Sequence, residues 1–277
     1  MRTVFTTVCA ALVSLSSTTF AGHRDALQAY ETATTLFKSR SEAGSVEKMI
    51  PLLTGALDET QDEGLRYKIL VLHSRALYWQ GTQTEDTEKK KEIHLAGNAI
   101  AKDARDENPD FADALYFEAA HLGRWAEANG IVQSLVKKGE VMDTLEEIFD
   151  LDTVKLNNGE PVYEDGEPVL VAGEEFEGFG ADRILGRLYF KLPGWAGGSL
   201  EKALRHLGNA YENAPEYALN VIYYAEALYG SNKADREKAK QVLDKMLQQD
   251  PNTYNLLRLP ETQQEFKDAR KIRNEMT

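Results

Sequence analysis

A pattern of small and apolar residues recurs 36 residues apart in the last third of the chain. Its members in the first copy are Ala203, Leu207, Ala210 and Pro215, and in the second copy Ala239, Leu243, Met246 and Pro251. This spacing is typical of a two-helix unit in which small residues let the helices approach and proline ends the second helix. Such units stack into solenoids that hold a partner or a ligand in a groove.

The rest of the chain also reads as paired helices separated by short breaks. In one segment, five apolar residues fall on a single helical face, namely Leu65, Ile69, Leu72, Ala76 and Trp79. The predicted helices are 24–40, 45–59, 65–80, 87–107, 111–123, 126–149, 181–191, 199–213, 217–229, 235–249 and 261–275. The last of them is polar over most of its surface and would cap the stack. The fold class is therefore all-α: a solenoid of about five helix pairs plus a C-terminal capping helix.

One segment, Thr153–Ala172, departs from the helical pattern. It holds two copies of Gly-Glu-Pro-Val, and each follows a hairpin turn signal, Asn158-Gly159 and Asp165-Gly166. Because proline cannot donate to a strand ladder, Pro161 and Pro168 restrict the flanking strands to edges. We predict a small β-hairpin insertion of two or three strands, with a disordered acidic loop as the alternative.

The first 21 residues read as a secretory signal, with Arg2 ahead of an apolar stretch and a small-residue cleavage site at Ala21. The alternative is an N-terminal core helix. Cys9, the one cysteine of the chain, lies inside this segment after Val8, a context that does not favour lipid attachment. We therefore predict a mature helical domain over 22–277 in the periplasm or secreted, with no membrane span, no lipid anchor and no disulfide.

The negative charge of the chain is concentrated in one region. Of the net charge of −13, a net −12 falls between Glu140 and Glu177, where Lys155 is the single basic residue. Nucleic acids and anionic membranes attract basic surfaces, so neither is an expected partner. The region allows a cationic partner or a divalent ion, and a solvated acidic loop is the simpler interpretation.

Signatures of catalysis are nearly absent from the sequence. Two Ser-x-x-Lys pairs, which begin at Ser45 and Ser199, stand where helices start and are better explained as helix caps. Glu118 and His121 have the spacing of two metal ligands on one helix, but a di-iron bundle needs a second such motif and further carboxylates. We predict no enzyme activity, no metal site and no cofactor.

The 36-residue unit resembles the tetratricopeptide repeat, in which a small residue of the first helix meets an alanine of the second. Gly186, Ala203 and Pro215 occupy these positions in one copy. The run 180–204 is similar to the TatT-like T-component family of TRAP-transporter accessory proteins and, more distantly, to the regulators of microtubule dynamics. The resemblance implies a periplasmic helical protein that binds an organic ligand or a substrate-binding protein, and it leaves homo-oligomerisation open. A general envelope scaffold for protein interactions, with the acidic hairpin as its docking element, is the alternative.

Five residues of the repeat region are candidates for ligand binding. Arg183 and Arg187 share a helical face and could clamp a carboxylate, or else pair with the acidic stretch just upstream. Trp195 stands in a loop rich in glycine and proline, where it either packs or lines a pocket. Tyr223 and Tyr224 are adjacent, so at most one of them faces the groove. We predict a site of Arg183, Arg187, Tyr189, Trp195 and Tyr223.

Overall fold

The computed structural model describes residues 5–157 and 160–277, and over these residues the backbone is mostly helical. Its helices are α1 Phe5–Lys38, α2 Ser45–Glu59, α3 Glu63–Gln83, α4 Thr87–Glu107, α5 Ala112–Asn129, α6 Ile131–Glu147, α7 Gly180–Lys191, α8 Leu200–Asn213, α9 Ala218–Tyr229, α10 Lys233–Leu247 and α11 Leu259–Glu275. Six short strands lie between α6 and α7: β1 Asp152–Val154, β2 Leu156–Asn157, β3 Glu160–Pro161, β4 Tyr163–Glu164, β5 Glu167–Pro168 and β6 Leu170–Ala172. The predicted all-α class is confirmed.

The chain divides into two compact units, one that ends at Pro109 and one that spans Asp110–Thr277. In the first unit, α1 packs against α2, α3 packs against α4, and α2 also contacts α3. The predicted apolar stripe on α3 is confirmed, because all five of its members lie in the core. The indole of Trp79 donates to the carbonyl of Arg40 at 3.0 Å, so the polar atom of this core side chain is satisfied.

In the second unit, consecutive helices pack on one another from α7 to α11, and α5 packs on α6. The small residues of the repeat lie at these contacts: Ala203, Ala210, Ala225 and Ala239 are fully buried. A Cβ added to Gly186 would lie 2.5 Å from Cγ of Leu207. Glycine on α7 therefore lets α8 approach closely, which is the role that the repeat pattern predicts for a small residue there.

The break between α5 and α6 lies seven residues after the predicted one. Helix α5 continues through Gly123 to Asn129, and the chain turns at Gly130, whose φ is +81°. The prediction of a break at Gly123 was wrong because a glycine inside a helix costs only about 1 kcal/mol, which packing offsets. A positive φ, by contrast, disfavours every residue with a Cβ, so Gly130 is where the helix ends.

The insertion between α6 and α7 is a junction of three short strand pairs, so the prediction of two or three strands was too low. Strand β1 pairs with β6, β2 with β3, and β4 with β5, all antiparallel. Backbone bonds at the centre join Lys155 to Val169, Val162 to Lys155 and Val169 to Val162, each at 2.8 or 2.9 Å. The turn at Asp165-Gly166 has the positive φ values that its sequence predicts, while Asn158-Gly159 lies outside the described residues.

The predicted signal peptide covers residues 1–4, which lie outside the described part, and the first half of α1. Its cleavage, and export of the chain, stay predictions, as does the extent of the mature domain from residue 22. None of the helices that the structure describes is long and apolar enough to cross a membrane.

We expect Gly186→Ala to destabilise the second unit, because the new methyl group would overlap Leu207. Overpacking of this kind costs about 1–3 kcal/mol, which exceeds the gain of about 1 kcal/mol in helix propensity. Gly123→Ala is the matched control, since nothing lies within 4 Å of a Cβ at that position. Urea unfolding should give a lower free energy of unfolding for Gly186→Ala and an equal or higher one for Gly123→Ala; equal effects would contradict the packing described.

The first unit should lose stability at acid pH partly through His73. Burial lowers the pKa of this histidine below its ordinary value, and its Nδ1 has no hydrogen-bond partner. The unfolded chain therefore binds a proton near neutral pH that the folded chain does not, and acidification favours unfolding. Between about pH 7.5 and about pH 5.5, we expect His73→Phe to lose less unfolding free energy than the wild-type chain.

Leu72→Ala controls for destabilisation alone, since it removes core packing from the same helix and leaves the histidine in place. Denaturant unfolding at the two pH values should give Leu72→Ala the full wild-type pH dependence. If His73→Phe also keeps that dependence, this histidine does not contribute to it.

Candidate functional site

The second unit is organised around the guanidinium of Arg183, which is only 3% exposed. Its Nη1 donates to the carbonyls of Glu177 and Gly178 at 3.0 and 3.2 Å and to Oδ1 of Asn220 at 2.9 Å. Its Nη2 donates to the hydroxyl of Tyr116 at 2.9 Å. We call these five residues the Arg183 network. It joins α5, α7 and α9 to the turn that precedes α7.

Asn220 extends this network to the end of α8. Its amide nitrogen lies 3.0 Å from the carbonyl of Gly178 and 3.0 and 2.9 Å from those of Ala210 and Ala214. Ala210 and Ala214 also accept from the backbone N–H groups of Ala214 and Tyr217, so Asn220 adds a second donor to the carbonyls at this helix end. The side chain is fully buried.

A second arginine flanks the network from the side of α11. The guanidinium carbons of Arg183 and Arg258 lie 5.6 and 5.0 Å from the centre of the Tyr217 ring. Arg258 pairs with the buried Glu265 at 3.2 Å. Burial raises the pKa of Glu265, although the positive charge of Arg258 opposes this shift. The pair lies within the first two turns of α11, and the contact of Arg258 with Tyr217 links that end of α11 to the start of α9.

The structure brings together two of the five predicted site residues. The guanidinium of Arg187 lies 4.1 Å above the centre of the Tyr223 ring, and its Nη1 contacts Oε2 of Glu226 at 2.6 Å. Lys191 approaches the same carboxylate at 3.7 Å. The acid that pairs with Arg187 thus comes from α9, and not from the acidic stretch upstream.

The other predicted residues lie elsewhere. Arg183 is enclosed in its network, with both terminal nitrogens bonded to protein groups. Tyr189 is buried, and its ring stacks on His206 at 5.8 Å between centres. Trp195 is 80% exposed in the loop between α7 and α8, where Lys138 donates to the carbonyl of Ala196 at 2.8 Å. The five residues therefore do not surround one pocket.

An open depression of about 470 Å³ lies over α8. We call it the α8 depression, and its lining residues are Asp182, Leu204, Arg205, His206, Gly208, Asn209, Glu212 and Tyr224. None of the five predicted residues is among them. Of the two adjacent tyrosines, Tyr224 lines the depression, whereas the prediction named Tyr223.

One wall of the depression is a carboxylate whose oxygens are both engaged. The Asp182 side chain is 4% exposed; its Oδ1 lies 2.7 Å from Nδ1 of His206, and its Oδ2 accepts from Asn209 at 2.8 Å. Asp182 lies in the first turn of α7 directly before Arg183, so the Arg183 network holds the part of the helix that carries it. Partial burial and the negative charges of Asp182 and Glu175 raise the pKa of Glu174.

The polar groups beside the depression contact other protein groups. Nε2 of His206 lies 3.3 Å from Nη2 of Arg205. The eight lining residues include no serine, threonine or cysteine nucleophile. Among the described residues, no group of three histidine, cysteine or acidic side chains is arranged to hold a metal ion. Glu118 and His121, the spaced pair on α5, are both buried.

Sequence reasoning missed Asp182, His206 and Asn209. His206 on α8 contacts Asp182 on α7, so no spacing along a single helix indicates the pair. Asp182 does lie inside the run 180–204 that carries the family resemblance. The sequence does place Asp182 four residues before Gly186, so both residues lie on the face of α7 that packs on α8. An acidic side chain on that face needs a hydrogen-bond donor from α8.

A scan against protein-family models finds no match to this chain, and a search of curated proteins finds no similar sequence.

We expect Arg183→Met to lower the free energy of unfolding by about 3 kcal/mol or more, because it removes four hydrogen bonds from a buried charged donor. Arg187→Met, one helical turn later, is the matched control. It removes a partly exposed ion pair and a ring contact, worth about 1 kcal/mol together. Denaturant unfolding followed by circular dichroism compares the two variants. Equal losses would mean that the Arg183 network does not organise the unit.

Proposed function

We propose that this chain is a non-enzymatic helical-repeat protein of tetratricopeptide type that binds a segment of a partner protein in the α8 depression. The observation that carries the proposal is the depression itself. Its polar wall, Asp182 with His206 and Asn209, is held in place before any partner arrives. Preorganised groups lose little side-chain entropy on binding, which favours affinity.

The repeat interpretation rests on the contacts of the second unit. Helices pack in sequence order, and fully buried alanines such as Ala203 and Ala239 lie at equivalent positions 36 residues apart. The turns after α8 and α10 are also linked, because Asn255 donates to the carbonyl of Glu216 at 3.3 Å. Repeats that contact their neighbours in this way are expected to continue as a solenoid.

The open shape of the depression favours a protein segment over an enclosed small molecule. Pockets for small ligands bury most of the ligand surface, about 70–90%. A shallow polar depression instead suits a chain that lies across it and continues on both sides. Binding of a small organic ligand, which the family resemblance implies, stays as a further proposal. Native mass spectrometry of the protein purified from its source would test it through a retained ligand.

Export and a role beside a transporter belong to the same proposal. They rest on the signal-like residues 1–21 and on the run 180–204. A mature chain that starts at Gly22, measured by intact mass, would support export, and an uncleaved N-terminus would contradict it. Genes for transporter membrane subunits beside this one would support the accessory role.

A second candidate surface is the strand junction between α6 and α7, which supports the scaffold alternative. Its exposed face carries Tyr163, 58% exposed, and Leu170. The carboxylates Glu164 and Glu167 stand directly opposite each other across β4 and β5. Like charges in this position repel, so a cationic partner would stabilise the hairpin.

Photo-crosslinking in the source organism separates these surfaces. A benzophenone amino acid is introduced singly at Glu212 on the rim of the α8 depression, at Tyr163 on the junction, or at Lys267, which is exposed on α11, as control. The proposal expects a discrete crosslinked protein from position 212 and none from position 267. A product from position 163 alone would support the junction, and the absence of any product at 212 would contradict the proposal.

A further inference from the structure

The loop between α7 and α8 holds a tryptophan out in solvent. Trp195 is 80% exposed, yet the backbone around it is fixed. The N–H groups of Ala196 and Gly198 both donate to the carbonyl of Pro193, at 2.9 and 3.1 Å. From α6, Lys138 donates to the carbonyl of Ala196 at 2.8 Å. The exposed indole therefore stands on a support that is bonded both within the loop and to a neighbouring helix.

The glycines after Trp195 are required by this loop conformation. A Cβ on Gly198 would lie 1.8 Å from the carbonyl oxygen of Leu192, and Gly197 has a φ of +88°. A preorganised side chain loses little conformational entropy when a second surface covers it. Tryptophan is also enriched among the residues that carry most of the energy of protein interfaces. The loop is therefore suited to contact another surface through Trp195.

Positive charge flanks the loop on both sides. Lys191, with a side chain 53% exposed, ends α7, and the exposed Lys202 lies in the first turn of α8. Between Leu188 and His206 the sequence holds three lysine or arginine residues and one acidic residue, although the whole chain has a net charge of −13. A surface that complements the loop therefore combines apolar groups with carboxylates.

The strand junction of the same chain carries such a surface on the hairpin of β4 and β5, which we call the β4–β5 finger. Tyr163 pairs with Pro168 and Glu164 with Glu167, so the first pair shares one face of the hairpin and the second pair the other. All four side chains are exposed, as is Asp165 in the turn. The finger thus has an apolar face bordered by carboxylates.

We infer that two copies of this chain associate, with Trp195 of each copy packed on the Tyr163–Pro168 face of the other copy's finger and with Lys191 and Lys202 beside the carboxylates of that finger. Both surfaces belong to the second unit and are exposed within one copy, so a two-fold axis lets each copy supply both. The lysines would also relieve the repulsion between the paired glutamates of the finger. The inference concerns assembly and does not depend on the α8 depression.

Sedimentation equilibrium of the purified full chain tests the inference, at protein concentrations from about 1 to about 500 μM, a range that covers weak and moderate association. We expect wild type to dimerise, and Trp195→Ala to raise the dissociation constant of the dimer by about tenfold or more. Leu256→Ala is the matched control, because it removes another apolar side chain of the same unit that is 70% exposed, and it should leave this constant unchanged. Added salt should raise the dissociation constant of wild type.

A charge exchange identifies the two surfaces that meet. One variant carries Lys202→Glu, which should keep its fold because glutamate is favourable at the third position of a helix capped by Ser199. The other carries Glu164→Lys and Glu167→Lys together, which keeps a like-charged pair across the hairpin. Each variant alone should dimerise about tenfold more weakly than wild type. An equimolar mixture should recover association, because one contact of the mixed dimer is native and the other has its charges reversed on both sides.

A chain that stays monomeric over the whole concentration range would overturn the inference. Dimers that Trp195→Ala does not weaken, or a mixture that associates no better than its components, would also overturn it. If a monomeric wild-type chain binds vesicles of anionic phospholipid and Trp195→Ala does not, the loop contacts a membrane surface and the inference is wrong. These results are distinct from a failure of the proposed function, which crosslinking at Glu212 tests.

Discussion

The second unit depends on one buried positive charge. Taking a guanidinium out of water is costly unless its donors are satisfied, and Arg183 achieves this with two carbonyls, an amide oxygen and a phenol. These acceptors come from α5, α9 and the turn before α7, so they must meet at one point for the charge to be tolerated. These hydrogen bonds restrict the positions of the helices more strictly than apolar packing does. Apolar side chains stay in contact when helices shift slightly, whereas hydrogen bonds need defined distances and angles.

The same constraint shapes the candidate site. Asp182 directly precedes Arg183 at the start of α7. The hydrogen bonds of Arg183 hold this end of the helix, and they therefore also position Asp182. Asn220, which accepts from Arg183, also donates to the carbonyl of Ala210 in the last turn of α8 and to that of Ala214 directly after it. Asp182 then meets His206 and Asn209 on α8, and the depression forms beside them. A structural network and a binding surface are thus built on adjacent residues.

The helices were predictable because periodic apolar residues and turn-forming residues act locally. The face shared by Arg183 and Arg187 was predictable for the same reason, and both side chains do reach α9. The difference in burial between the two side chains was not predictable. Arg183 is covered by the turn at Glu177-Gly178 and by Tyr116, which is 67 residues away in sequence. Arg187, one turn later, lies beyond that cover. The partner of His206 was missed because contact across two helices leaves no spacing in the sequence.

The central claim is that Arg183 couples α5 to the repeat helices, and a double-mutant cycle between Arg183→Met and Tyr116→Phe tests it most directly. The unfolding free energies of wild type, both single variants and the double variant give the coupling between the two side chains. The account predicts a coupling of about 1–2 kcal/mol, because the buried hydrogen bond between the two side chains is present in wild type and lost in each single variant. Additivity within about 0.5 kcal/mol would contradict it.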